Sequence, residues 1–179
     1  DADLVKNENT LSRTEETLVE MSNGCICCTL REDLMIEVEK LAKAQKFDYL
    51  IIESTGISEP IPVAQTFSFE SEDGSIDLSR FSYVDTMVTV VDAFNFMKDF
   101  SSPQYLTDRD LTNIEGDQRT IVNLLTDQVE FANVILLNKI DLVSEKELRN
   151  LYDIIHKLNP EARIIPTNHS KVNIKDVIN

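Results

Sequence analysis

Apolar and polar positions along the chain follow two alternating periods, one typical of buried strands and one typical of amphipathic helices. The largely apolar runs cover 47–53, 86–92, 133–137 and 163–165, and the segments with helical spacing cover 30–41, 117–130 and 145–158. Strand-like runs that alternate with helical segments are typical of βαβ units. The pattern therefore predicts an α/β fold, with a mainly parallel sheet flanked by helices.

Polar residues at the boundaries of these segments predict where two helices begin. Thr29, with Glu32 three residues later, resembles an N-cap for the first helix, and Ser144 with Glu147 forms a capping box for the last long one. Residues 68–83 are acidic and rich in serine, so we expect an exposed loop there.

Composition narrows the class of protein. The 179 residues fit one domain, and 42% of them are hydrophobic, as in a globular protein. With 17 basic and 32 acidic residues the net charge is -15, which disfavours nucleic acid and anionic membranes as partners. The apolar runs are too short to span a membrane, and the start of the chain does not resemble a signal peptide. We therefore expect a cytoplasmic protein whose single domain covers 1–179.

The tetrapeptide 138–141 follows a continuous apolar run and has the side chains that a guanine pocket requires. The Asp141 carboxylate can accept hydrogen bonds from guanine N1 and N2, a donor pair that adenine lacks. Asn138 can serve the N7 and O6 side of the base, and the Lys139 stem can cover the ring. The alternative is a turn in which Asn and Asp cap backbone groups. We predict GTP as the nucleotide.

A second polar cluster, Glu53–Gly56, ends the run at 47–53. Here a carboxylate can hold the water shell of Mg²⁺, and a glycine amide can approach a terminal phosphate without obstruction from a side chain. We expect Glu53 and Gly56 to act in catalysis. The alternative is a glutamate that simply ends a strand before a turn.

Cys25, Cys27 and Cys28 are the only cysteines in the chain, and an odd number cannot form a disulfide framework. Thiolates next to a helix start suit Zn²⁺ or Cu⁺, and three thiols leave a fourth position open, as in transfer of a metal. Buried structural cysteines and a dithiol redox site remain alternatives. His156 falls within a helix, whereas His169 follows the last strand and could line the nucleotide edge.

The segments Gly24–Cys28, Glu53–Gly56 and Asn138–Leu142, in this order, make the chain similar to the CobW-like GTPases. These are P-loop proteins of the SIMIBI class that are associated with metal insertion and zinc homeostasis. The resemblance also includes Val91–Ala93 and Phe131–Leu137, so it covers most of the chain.

The resemblance implies a role for each cluster. Cys25, Cys27 and Cys28 would bind Zn²⁺ or a similar metal, Glu53 and Gly56 would belong to the Mg²⁺ and switch region, and Asn138, Lys139 and Asp141 would read the base. The complete protein would then be a GTP phosphohydrolase that delivers a metal to a client metalloprotein. The alternative is a metal-binding module without nucleotide turnover.

The chain departs from the family in one respect: none of its four glycines precedes a lysine, so the family's phosphate loop is absent from these residues. We expect that loop and its strand upstream of Asp1, and we expect the family's C-terminal domain to be absent from this chain. The residues 1–179 alone should therefore not hydrolyse GTP. A sheet that lacks its first strand should also expose an edge, so we expect homo-oligomers or retained upstream residues.

Overall fold

The computed structural model describes residues 28–54, 56, 59–68, 71, 74–109 and 120–178, without the side chains of 28–32, 107 and 109. The α-helices and β-strands in these ranges are α1 (Cys28–Lys43), α2 (Pro60–Thr66), β1 (Val88–Asp92), α3 (Phe96–Phe100), α4 (Ile121–Glu130), β2 (Val134–Asn138), α5 (Glu145–Leu158) and β3 (Arg163–Pro166). No helix in the described ranges has the length and apolar character needed to cross a membrane.

The three strands form a parallel sheet in the order β1-β2-β3, as the alternating pattern predicts. The first four residues of the central strand β2 are buried, which explains why this strand is apolar along its length. Asp92 of β1 lies opposite Asn138 of β2, and Leu137 lies opposite Pro166 of β3. Parallel strands bring their carboxyl ends to one edge, so the residues after all three strands lie on the same side of the sheet.

Side-chain caps begin the two helices that flank β2. The Ser144 hydroxyl accepts the Glu147 amide, while the Glu147 carboxylate accepts the Ser144 amide at 2.8 Å, as predicted. Hydrogen bonds from Ser144 to the carboxylate hold the pKa of Glu147 below its usual range. Helix α4 begins at Ile121, later than the predicted Asp117, because Thr120 occupies the N-cap position and forms its own capping box.

Apolar side chains form a main core between the sheet and the helices. Ile135 and Leu137 of β2 are fully buried, and they lie in one cluster with Leu151 and Ile155 of α5. A second cluster forms around α1, where Leu34, Met35 and Val38 meet Leu78. Leu78 is 0% exposed, so the expectation of an exposed loop over 68–83 is wrong at this residue.

The predicted buried strand over 47–53 is also wrong. This segment pairs with none of the three described strands, and Leu50 and Ile51 are 46% and 78% exposed. An apolar run forms a strand only where a neighbour supplies backbone partners, and the described sheet ends at β1, whose Val90 is 57% exposed. Self-association through this edge stays a prediction.

Asn159 ends helix α5 and connects it to the end of α4. Its Nδ2 donates to the carbonyl oxygens of Val129, Glu130 and Ala132 at 2.8, 3.0 and 2.9 Å. Its Oδ1 accepts the Ala162 amide at 3.0 Å, and the residue is only 5% exposed. A single buried side chain therefore satisfies several backbone groups in the turn before β2 and in the turn before β3.

Replacing Asn159 with alanine should lower the free energy of unfolding by about 3 kcal/mol, because several buried backbone groups lose their partner at once. Urea unfolding monitored by circular dichroism would measure the loss. Asn150→Ala, on the exposed face of α5, is the matched control and should change the stability little. Equal midpoints for the two variants would contradict the assigned role of Asn159.

Candidate functional site

The ends of the three strands bring polar side chains together at one edge of the sheet. Asp92 ends β1, Asn138 ends β2 and Thr167 directly follows β3. Asp92 and Asn138 are partly exposed, so both can present a polar side chain without the full penalty for burial, whereas Thr167 is buried. This edge is where open α/β sheets bind their ligands.

Asn138 is held by the turn that follows β3. Its Oδ1 accepts the Ser170 amide at 2.8 Å and the Thr167 hydroxyl at 3.3 Å. Among the described residues, its Nδ2 has no hydrogen-bond partner. The side chain is thereby oriented with its acceptor toward the protein and its donor available to a ligand, which is the polarity needed for guanine N7 and O6.

Lys139 adopts a left-handed backbone conformation, with φ 63° and ψ 33°. Such a conformation is uncommon for a residue with a side chain and is typical of functional sites. The Lys139 Nζ lies 2.6 Å from Oδ2 of Asp92. The Lys139 side chain therefore reaches back across the edge to the end of the neighbouring strand instead of extending into solvent.

Burial raises the pKa of Asp92, but the hydrogen bonds from Lys139 and from Asn95 outweigh this, so the pKa lies below its ordinary value of 3.8. The Asp92 carboxylate is therefore ionised at neutral pH. Because the folded pKa is the lower one, the stabilisation from the ionised carboxylate is complete above the unfolded value. It is lost as the pH falls through the lowered folded value.

Asp141 lies one residue beyond Ile140, in the short 3-10 helix Ile140–Leu142. Its backbone amide donates to Oδ1 of Asn168 at 3.2 Å, so a further hydrogen bond links this loop to the turn after β3. The residue is exposed, and no hydrogen bond or ion pair of its carboxylate is found among the described residues. It remains available as an acceptor for a ligand.

The turn after β3 lines a shallow depression of about 520 Å³ with His169, Ser170, Lys171 and Val172. His169 and Ser170 have φ of 54° and 52°, two successive left-handed residues. This geometry turns the chain so that the Ser170 amide reaches Asn138. His169 therefore lies beside the candidate site, whereas His156 lies on α5 next to Tyr152.

Glu53 and Gly56 lie in irregular backbone and not at a strand end. Glu53 is exposed, and the Gly56 carbonyl accepts Nε2 of Gln128 on α4 at 2.9 Å. A Cβ at Gly56 would meet no atom within 4 Å in the described part of the chain, so packing there does not require glycine. No hydrogen bond between described residues joins Glu53 or Gly56 to the 138–141 loop.

The structure describes little of the cysteine cluster. Cys25 and Cys27 lie outside the described residues, and Cys28 is the first residue of α1, its side chain not described. Thr29 therefore lies in the first turn of α1 and is not the N-cap that the sequence indicated. Within the described ranges, no three His, Cys, Asp or Glu side chains are placed to share a metal ion.

The sequence reasoning missed Asp92, Thr167, Asn168 and Ser170 as site residues. Thr167, Asn168 and Ser170 follow β3 directly, so the strand-end argument that identified Asn138 would also have indicated them. The ion pair between Asp92 and Lys139 joins residues 47 positions apart, and only the register of β1 with β2 brings them together.

Comparison with known proteins shows which family the chain resembles. The family described as CobW/HypB/UreG, nucleotide-binding domain, matches residues 1–166. The zinc-regulated GTPase metalloprotein activator 1 of Dictyostelium discoideum is 51% identical over 98% of the chain and 38% of its own length. The zinc chaperone CobW of Sinorhizobium sp is 32% identical over 86% of the chain and 43% of its own length.

A third relative, the zinc chaperone YjiA of Escherichia coli strain K12, is 28% identical over 86% of the chain and 42% of its own length. The chain thus spans about two fifths of the length of these relatives. No solved structure matches the chain. Since the family match covers nearly all of the residues that build the parallel sheet and its polar edge, the chain belongs to the CobW/HypB/UreG family of nucleotide-binding domains.

Proposed function

We propose that this chain is the nucleotide-binding part of a GTP-hydrolysing metallochaperone that delivers Zn²⁺ or a similar metal to a client metalloprotein. The observation that carries the proposal is the loop 138–141, which hydrogen bonds with Thr167, Asn168 and Ser170 join to the turn after β3 at the carboxyl edge of the sheet. Relatives named as zinc chaperones and as a zinc-regulated GTPase metalloprotein activator support the metal part.

Three side chains of the 138–141 loop divide the recognition of guanine among them. Nδ2 of Asn138 donates to the N7 and O6 side, since its Oδ1 is already engaged by Ser170. The exposed Asp141 carboxylate accepts from N1 and N2. The Lys139 stem covers one face of the ring.

Glu53 and Gly56 serve the phosphate end in this proposal. Glu53 would hold the water shell of Mg²⁺, and the ion would neutralise charge that develops on the phosphates. The Gly56 amide would donate to the terminal phosphate. A hydrogen bond from Gln128 to the Gly56 carbonyl anchors the backbone at this residue.

Cys25, Cys27 and Cys28 bind the metal cargo in this proposal, as a thiolate set suited to Zn²⁺. Cys28 begins α1, and Leu34, Met35 and Val38 of α1 form an apolar cluster against which Ile52 packs. Ile52 directly precedes Glu53. A nucleotide that orders Glu53 would therefore act on the helix that contains Cys28, which couples GTP state to metal exposure.

Gly56→Ala should lower the GTP hydrolysis rate at least about tenfold, because the added methyl group would stand where the peptide approaches the phosphate. The thermal unfolding midpoint should not change, since the structure leaves space for the Cβ. Measurement of both quantities on one preparation checks the prediction. A variant that is less stable and equally active would contradict it.

The proposed function is tested with the complete gene product that contains this chain. We expect Mg²⁺-dependent hydrolysis of GTP in preference to ATP, together with one bound Zn²⁺ per chain. Zinc binding without any hydrolysis of GTP would indicate a metal-binding module without nucleotide turnover, and it would refute the enzymatic proposal. Hydrolysis of ATP and GTP at equal rates would refute the assigned role of the 138–141 loop.

A further inference from the structure

The two carboxylate oxygens of Asp92 have separate tasks. Oδ1 accepts the backbone amides of Phe94 and Asn95 at 3.0 and 3.1 Å, which shapes the turn from β1 into α3. Oδ2 accepts Nδ2 of Asn95 at 3.0 Å and Nζ of Lys139 at 2.6 Å. One oxygen thus stabilises the turn, and the other forms an ion pair with the Lys139 ammonium.

The Lys139 ammonium is anchored at the strand edge although its side chain is 48% exposed. A lysine on a flexible stem would otherwise sample many rotamers, and a ligand that orders it would have to offset the lost side-chain entropy. The backbone of Lys139 is also left-handed, and this conformation fixes the direction of its Cα–Cβ bond. Contact with Asp92 removes much of the remaining freedom before any ligand binds.

We propose that Asp92 is a positioning residue for the guanine nucleotide, which it serves by holding the Lys139 stem against the face of the base. The inference rests on the proposed function, because it needs a nucleotide at the 138–141 loop. Both carboxylate oxygens of Asp92 already accept hydrogen bonds from protein groups, so Asp92 acts through Lys139. Pre-ordered side chains raise affinity because binding no longer has to order them.

Asp92→Asn separates the two tasks of the carboxylate. The amide oxygen of asparagine can replace Oδ1 and keep the turn at Phe94 and Asn95. Its NH2 group then takes the place of Oδ2 and faces two donors, Nζ of Lys139 and Nδ2 of Asn95. The substitution therefore releases the lysine and retains most of the turn.

The experiment measures the affinity of the complete gene product for a fluorescent GDP derivative. We expect about fivefold weaker binding for Asp92→Asn. This loss corresponds to the upper end of the contributions that partly exposed ion pairs make. The matched control is Asp153→Asn on the exposed face of α5, which should leave the affinity unchanged. The ratio of affinities for guanosine and inosine diphosphate should stay constant, because the lysine covers the ring face and does not read N2.

A double-mutant cycle with Lys139→Met shows whether Asp92 acts through the lysine. This substitution keeps the apolar stem and removes the charge, so each single variant should weaken binding to a similar extent. The double variant should be no weaker than either single one. If the affinity loss of the double variant equals the product of the two single losses, the inference is overturned, because Asp92 then acts independently of Lys139.

Further outcomes are equally decisive. If Asp92→Asn lowers the thermal unfolding midpoint by several degrees, Lys139→Met becomes the test, because it leaves the turn at Asp92 intact. Unchanged GDP affinity in that variant would overturn the inference. If the unmodified protein does not prefer GDP to ADP, the proposed function fails and this inference fails with it. A clear preference for GDP, together with a GDP affinity that Asp92→Asn leaves unchanged, would refute the inference alone.

Discussion

Asp141→Asn should lower the preference of the complete protein for GDP over ADP by on the order of 10²- to 10³-fold. The carboxylate accepts from both N1 and N2 of guanine, and asparagine presents a donor where one of these acceptors was. Loss of charge-assisted hydrogen bonds, with one donor left facing another, costs several kcal/mol. Competition between fluorescent GDP and unlabelled nucleotides measures the ratio directly.

The same substitution should improve binding of xanthosine diphosphate, whose base has a carbonyl oxygen in place of the N2 amine. The new donor would then meet an acceptor. This gain distinguishes an altered base contact from general damage to the site, which would weaken every nucleotide. Asp153→Asn, the same chemical change at an exposed position of α5, should alter neither ratio. Retained selectivity for guanine in Asp141→Asn would refute the role assigned to the loop.

Cys27→Ser/Cys28→Ser should lower the Zn²⁺ affinity at least about 10³-fold. Zinc binds the thiolate and not the neutral hydroxyl, and structural zinc sites derive binding free energies of roughly 10 kcal/mol or more from their ligand sets. The reduced, unmodified protein should bind one Zn²⁺ per chain and release protons as the thiols ionise. Titration against a chromophoric chelator measures affinity and stoichiometry, and a weakly buffered pH indicator measures the protons.

Two histidine variants serve as controls for the metal site. His156→Ala, on α5, should retain the full affinity, because this ring contacts Tyr152 on its own helix. His169→Ala tests whether the exposed residue beside the 138–141 loop supplies the fourth ligand. Unchanged zinc binding in the cysteine variant would show that the metal lies elsewhere in the protein.

Local patterns predicted the parts of the fold that depend on residues close in sequence. The capping box at Ser144 is one example, since residue 144 and residue 147 interact within one turn. The buried strand β2 is another, because a run of apolar residues before Asn138 has a stable position only inside a covered sheet. The position of the polar loop 138–141 followed from the same strand end.

The failure at 47–53 has the opposite cause. This run is as apolar as the strands that were predicted well, but its conformation depends on whether a distant strand pairs with it. The described sheet ends at β1, and Ile51 is exposed. A run of apolar residues indicates a preference for burial, but it does not determine whether a neighbouring strand is present to pair with it.

The sequence by itself determined the α/β class, the alternation of strands and helices along the chain and the polar residue types of the 138–141 loop. These features depend on local periodicity and residue type. Only the tertiary structure decided which side chains meet at the carboxyl edge. The register of β1 with β2 sets Asp92 against Lys139, and the turn after β3 brings Ser170 to Asn138. Such contacts join residues 47 and 32 positions apart, so strand pairing and the turn that follows β3 set the distances between them.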